Sequence, residues 1–186
     1  MANNNYAFID SQNLNLAVRD QGWILDFGKF KKYLENKYSA TKCFLFIGFI
    51  DENQSMYTAL QKMGYIIIFK PTLTRNGTVK GNCDAELVLQ AMIEIPNYDQ
   101  AIIVTGDGDF YCLVDYLDTK SMLKVLLIPN KNLYSSLFKK VASGKKWFVN
   151  DLKLKLEYKG SRAKKPESVG SESGGSESGG SESEGS

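Results

Sequence analysis

The 186-residue chain is 43% hydrophobic, with 23 Lys and Arg against 21 Asp and Glu, so it can bury one ordinary core, and it contains no run of about 18 apolar residues able to cross a membrane. It has no histidine, which excludes Ser-His-Asp and Cys-His machinery, imidazole acid–base steps and His-ligated metals. Cys43, Cys83 and Cys112 are an odd number without paired metal spacing, expected as small buried thiols in a reducing compartment, and the opening "MANNNYAFID" lacks the basic segment of a secretory signal, so a cytoplasmic location is expected.

In chain order, "YAFID" (6–10) reads as a short buried strand. "DFGKFKKYLENKY" (26–38) repeats Phe27, Phe30, Tyr33, Leu34 and Tyr38 at helical spacing. "CFLFIGFI" (43–50) is a second strand, "ENQSMYTALQKMG" (52–64) a helix closed by Gly64, and "YIIIFKP" (65–71) a third strand stopped by proline. "TLTRNGTVKGN" (72–82) reads as a loop and "CDAELVLQAMIEI" (83–95) as a helix. Strand "QAIIVTG" (100–106), helix "FYCLVDYLDTK" (110–120) and strand "LKVLLIP" (123–129) follow, then one more helix over "NLYSSLFKKVAS" (132–143) and a less regular end near "KWFVNDL". From Gly160 the sequence turns into a Ser-Glu-Ser-Gly-Gly repeat that cannot bury apolar surface. We therefore expect one domain over 1–159 and a flexible tail over 160–186, whose regularity is also that of an engineered linker. Without the tail, 20 Lys and Arg face 16 Asp and Glu, a mildly basic balance.

Strands apolar on both faces and separated by helices belong to a parallel sheet covered on both sides. The expected fold is α/β, a Rossmann-like doubly wound sheet of about five mostly parallel strands in the order 3-2-1-4-5. Such sheets bind ligands at the carboxyl ends of strands where the winding reverses. Here the reversal separates the first and fourth strands, which brings Asp10 and Asp107 to one crevice.

The stretches "FIDSQNLNL" (8–16), "KGNCDAELVLQAM" (80–92) and "IIVTGDGDFYCLV" (102–114) occur in this order. Together they resemble the NYN domain family, the LabA-like branch of the PIN-like nucleases, over roughly residues 5–150. The resemblance implies a metal-dependent ribonuclease in which Asp10, Asp84, Asp107 and Asp109 gather around Mg²⁺ or Mn²⁺. One position departs from the pattern: six residues after Asp84, where the family often has an acid, stands Gln90. Clustered carboxylates raise one another's pKa unless a cation compensates, and hard oxygen ligands suit Mg²⁺ or Mn²⁺. An ion held there would supply a more acidic water for attack on a phosphodiester and offset the developing charge.

Each residue also has a plainer reading. Asp109 is suited to cap a helix beginning at Phe110, Asp10 to a turn, Asn13 to cap a short helical turn, and Asp84 to the favourable first turn of its helix. Asn13 and Thr105 are candidate substrate-binding residues, although a β-branched strand terminus explains Thr105 equally well. Arg75 and Lys80 offer phosphate contacts from their loop, and Lys139, Lys140, Lys145 and Lys146 form a second basic group interleaved with Phe138, expected in the core, and Trp147, able to stack on bases. Three functions stay open: a ribonuclease acting on single-stranded RNA, a non-catalytic RNA-binding or scaffold module, and another Mg²⁺-dependent phosphate-transfer enzyme using Asp107-Gly108-Asp109. Self-association is compatible with all three, and no membrane partner is expected.

Overall fold

In β1 (Asn5–Asp10) all six residues are buried, so the strand needs cover on both faces, and the fold supplies it. The computed structural model describes residues 3–160, apart from 71–72, 76–77 and 81–83, with side chains of 71–84 also outside the description. After β1 come α1 (Ser11–Arg19), α2 (Phe27–Tyr38), β2 (Ala40–Gly48), α3 (Gln54–Lys62) and β3 (Ile66–Lys70). Two short strands, β4 (Leu73–Arg75) and β5 (Thr78–Lys80), precede α4 (Asp84–Ile93), β6 (Ala101–Val104), α5 (Tyr111–Thr119), β7 (Leu123–Ile128), β8 (Lys146–Phe148) and α6 (Lys153–Leu156).

The main sheet has the order β3-β2-β1-β6-β7-β8, and every neighbouring pair is parallel. Side chains alternate between its faces with the period of two that a strand imposes. Ala7 and Ile9 of β1, Leu45 of β2, and Ile102 and Val104 of β6 pack on one face against α1 and α2, through Leu14, Val18, Phe30 and Leu34. Tyr6 and Phe8, with Phe44, Phe46 and Ile103, pack on the other against Leu87 of α4 and Leu113, Val114 and Leu117 of α5. Phe8 and Phe44 stack with centroids 5.3 Å apart.

The sheet therefore has the anticipated order with a sixth strand added. β8 lies in the stretch read as irregular, because three residues with intermediate or high exposure leave no alternation to detect. The helix expected over 132–143 is not formed. Single 3₁₀ turns at Ser136–Lys140 and Ser143–Lys145 replace it, the first opened by Ser135, whose side chain accepts from the Leu137 amide, a local bond that competes with helix. The loop expected over 72–82 contains an antiparallel ribbon of β4 and β5. α1 is an addition to the expected elements: of its apolar residues only Leu14 and Val18 are buried, while Leu16 is exposed, so no single apolar stripe stands out.

The cysteines divide. Burial pushes the Cys43 thiol up to about 12, so it is an inert packing group. Cys112 is exposed, contrary to expectation, because the buried stripe of α5 runs through Leu113, Val114 and Leu117. Cys83 lies outside the described residues. Among the described residues no helix is long and apolar enough to cross a membrane.

Phe8→Ala should cost about 3–5 kcal/mol through reduced burial and the cavity left beside Phe44. Urea denaturation measures it, and a loss below about 1 kcal/mol would contradict this packing.

Candidate functional site

β1 and β6 are neighbours in parallel register, with Ile9 opposite Val104, so the residues after both strands emerge side by side. Asp10 is buried, and its Oδ1 accepts from the Asn13 amide at 3.1 Å, capping α1. The Asn13 side chain reaches across in turn, its Oδ1 accepting from the Gly106 amide at 2.9 Å. Thr105 is fully buried; its hydroxyl donates to Asp10 Oδ2 at 3.4 Å and accepts from the Asp107 amide at 3.1 Å. Two segments more than ninety residues apart in sequence are thus clasped together.

Asp107 caps the 3₁₀ turn Gly108–Phe110 by accepting from the Asp109 amide at 3.1 Å. The capping role expected of Asp109 thus belongs to Asp107, because the helical turn begins two residues earlier than the sequence indicated. Asp109 is exposed. Against the turn lies the segment following β7, where the Ser135 amide donates to the Gly106 carbonyl at 3.0 Å. A Cβ on Gly108 would run into the Ser135 hydroxyl and lie 2.9 Å from its Cβ, so the glycine is needed for this close approach.

Asp10, Asn13, Asp107 and Asp109 all line a groove of about 860 Å³ at the carboxyl ends of the strands. One wall is α1, through Gln12, Leu16, Ala17 and Asp20; the other is the segment bearing Leu133, Tyr134, Ser135 and Leu137. Lys70, the last residue of β3, is also in the lining, almost wholly buried, with its ammonium 3.4 Å from Gln12 Oε1. Sequence reasoning missed both Lys70 and Asp20. A lysine ending an otherwise apolar strand was the available signal for the first; for the second, the signal was its spacing of seven residues from Asn13.

Asp84 opens α4, but its side chain lies outside the described residues, as do those of Arg75 and Lys80 at the ends of β4 and β5. Among the described residues, no three Asp, Glu or Cys side chains come close enough to cage a metal ion. The donors facing the groove are nonetheless oxygens of carboxylates and amides, the chemistry of Mg²⁺ or Mn²⁺. Gln90 stands outside the described lining and donates to Glu94 Oε1 at 3.0 Å. Two of the second basic group are engaged elsewhere: Lys145 pairs with Asp118 at 2.6 Å, and Lys146 donates to the Phe138 carbonyl at 3.0 Å. Phe138 is fully buried, as expected, while the exposed ring of Trp147 carries the Lys37 ammonium 4.2 Å from a centroid.

Gly108→Ala should destabilise the fold by about 1–3 kcal/mol through overpacking against Ser135. In a double-mutant cycle read by urea denaturation, Ser135→Gly should recover most of that loss. Strict additivity would place the glycine requirement elsewhere.

The chain is 25% identical over 124 residues to the low amplitude and bright protein LabA of Synechococcus elongatus, covering 61% of this chain and 67% of that protein. It shares its fold with a crystal structure of a protein of unknown function from Vibrio parahaemolyticus, at a TM-score of 0.69 and 21% identity over 84% of this chain and 97% of the other. The NYN domain matches residues 6–145, and the chain belongs to the NYN domain family.

Proposed function

We propose that the protein is a metal-dependent ribonuclease that cleaves single-stranded RNA in the groove at the carboxyl ends of β1 and β6. The observation that supports this most strongly is the clasp that holds Asp10 and Asp107 at one groove end, in a chain of the NYN domain family. In this reading Asp10 and Asp107, with Asp109 and Asp84, hold Mg²⁺ or Mn²⁺. Magnesium is commonly held by one or two carboxylates together with waters and substrate phosphates rather than by a closed protein cage, which suits an open groove. When bound, the ion supplies Lewis-acid stabilisation of the phosphate and a more acidic water.

The chain's own groups do the rest. Thr105 fixes the Asp10 carboxylate and the Asp107 amide through one hydroxyl, so the two acids keep their relative position without reorganising. Asn13 holds the Gly106 backbone, which keeps the β6 loop against α1. The Lys70 ammonium, at the same groove, offsets part of the carboxylate charge and is placed to attract a phosphate. Arg75 and Lys80 grip the RNA backbone farther along, from the ribbon.

Asparagine keeps an acceptor oxygen for both caps but loses the charge. Asp10→Asn combined with Asp107→Asn should therefore leave the fold intact and lower Mn²⁺-dependent cleavage of a labelled single-stranded RNA by about a hundredfold or more. Thermal melts should show a Mn²⁺-induced stabilisation in wild type and its loss in the double variant. If wild type gains no stability from Mn²⁺, or the variant gains as much, the two acids are structural. RNA binding without cleavage would instead identify a binding module.

Arg75→Ala with Lys80→Ala should weaken RNA binding and flatten the dependence of log affinity on log salt by about 0.7 for each phosphate that is no longer neutralised. An unchanged affinity at low salt would remove the ribbon from the binding surface.

A further inference from the structure

The groove extends well beyond the carboxylate end. Asn13, Leu16 and Ala17 of α1 and its C-cap Asp20, which keeps helical backbone angles, lie at i, i+3, i+4 and i+7, hence on one stripe. That stripe runs roughly 10 Å along the helix at 1.5 Å per residue. It begins at the clasp, continues through apolar side chains and ends in a carboxylate. Across from it stand Leu133, Tyr134 and Leu137. Leu16, Leu133 and Leu137 are 52%, 69% and 42% exposed, so they face the groove and not the core.

The charge distribution decides what this arm accepts. Lys70 is the one cation in the described lining, whereas Asp20 adds to the acids. An arm with no cation among the described residues and with a carboxylate at its end repels phosphate. It suits a flat, uncharged, largely apolar body that presents N–H groups at its tip. Asp20 is also set where the helix itself opposes it, since a negative charge at a C-terminus meets the negative end of the helix dipole. Among the described residues its carboxylate has no hydrogen-bond or ion-pair partner.

We infer that this arm is a nucleobase subsite specific for guanine, with the base between Leu16 and Leu133 and the Asp20 carboxylate accepting from guanine N1–H and the exocyclic N2–H. The inference rests on the ribonuclease reading and adds its sequence preference. A carboxylate has acceptors only, and two of them. Guanine offers two adjacent donors on its Watson–Crick edge, adenine and cytosine one amino group each, and uracil one N–H flanked by carbonyl oxygens that a carboxylate repels. Reading an unstacked base by its Watson–Crick edge requires a single strand.

The test uses the full chain and oligouridines carrying one guanosine, adenosine or cytidine at a fixed position. Cleavage is followed with Mn²⁺ and binding by fluorescence anisotropy with Ca²⁺. The expected result is a preference of about tenfold to a hundredfold for the guanosine oligomer in kcat/KM and affinity, with the cut at the phosphate next to the guanosine. Asp20→Asn should abolish that preference, bringing guanosine, adenosine and cytidine oligomers to one level, and leave the melting temperature equal or higher. Leu16→Ser should weaken binding of all base-substituted oligomers. Cleavage without base preference, or a guanosine preference that survives Asp20→Asn, overturns the inference and leaves the ribonuclease standing. Absence of both binding and cleavage in wild type overturns both.

Discussion

The hydroxyl of Thr105 is the point on which the groove depends. It is fully buried, and it serves as donor to the first-strand carboxylate and acceptor for the amide that starts the second acidic loop. A buried polar group is costly unless satisfied, and a network satisfied on every side specifies one arrangement. The parallel pairing of β1 with β6 brings the strand ends together, but pairing alone fixes only the backbone. The hydroxyl and the crossing Asn13 side-chain oxygen, which accepts from Gly106, tie the Asp10 carboxylate to the backbone of the loop that bears Asp107.

The same clasp manages an electrostatic difficulty. Asp10, Asp107 and Asp109 share one groove, and like charges at short range oppose folding. The fold answers with neutral donors: the Asn13 amide, the Thr105 hydroxyl and the Asp109 amide each direct a hydrogen at one of these carboxylates. The buried ammonium of Lys70 adds a positive charge to the same lining. What these groups leave unneutralised is the electrostatic incentive for a cation to enter.

Much of this was legible in the sequence where the physics is local. Strands such as "YAFID" and "AIIV" are buried on both faces and carry unbroken apolar runs; that composition implied a parallel sheet, and its reversal point placed Asp10 beside Asp107. The segment 132–143 failed for an instructive reason. Leu133 and Leu137 contribute apolar residues at helical spacing, yet both face the groove. A sequence does not distinguish an apolar residue turned toward a ligand from one turned toward a core. β8 is too short for its period to register, and α1 divides its apolar residues between the core, with Leu14 and Val18, and the groove, with Leu16 and Ala17. Lys70 and Asp20 carry only faint marks in the sequence, a lysine ending an apolar strand and a seven-residue step from Asn13, and tertiary placement is what brings both to the groove.

The clasp joins partners separated by more than ninety positions, and the opposite wall of the groove is supplied later still, by Leu133 through Leu137. During synthesis, β1, α1 and the second strand are complete while the acidic loop after β6 has not yet been translated. A nascent chain therefore carries Asp10 with its cap but without Thr105, and has no groove. The groove has all its parts only after β6, β7 and the segment through Leu137 have emerged. Any activity housed there is withheld from the messenger and ribosome that produce it until the domain is nearly finished.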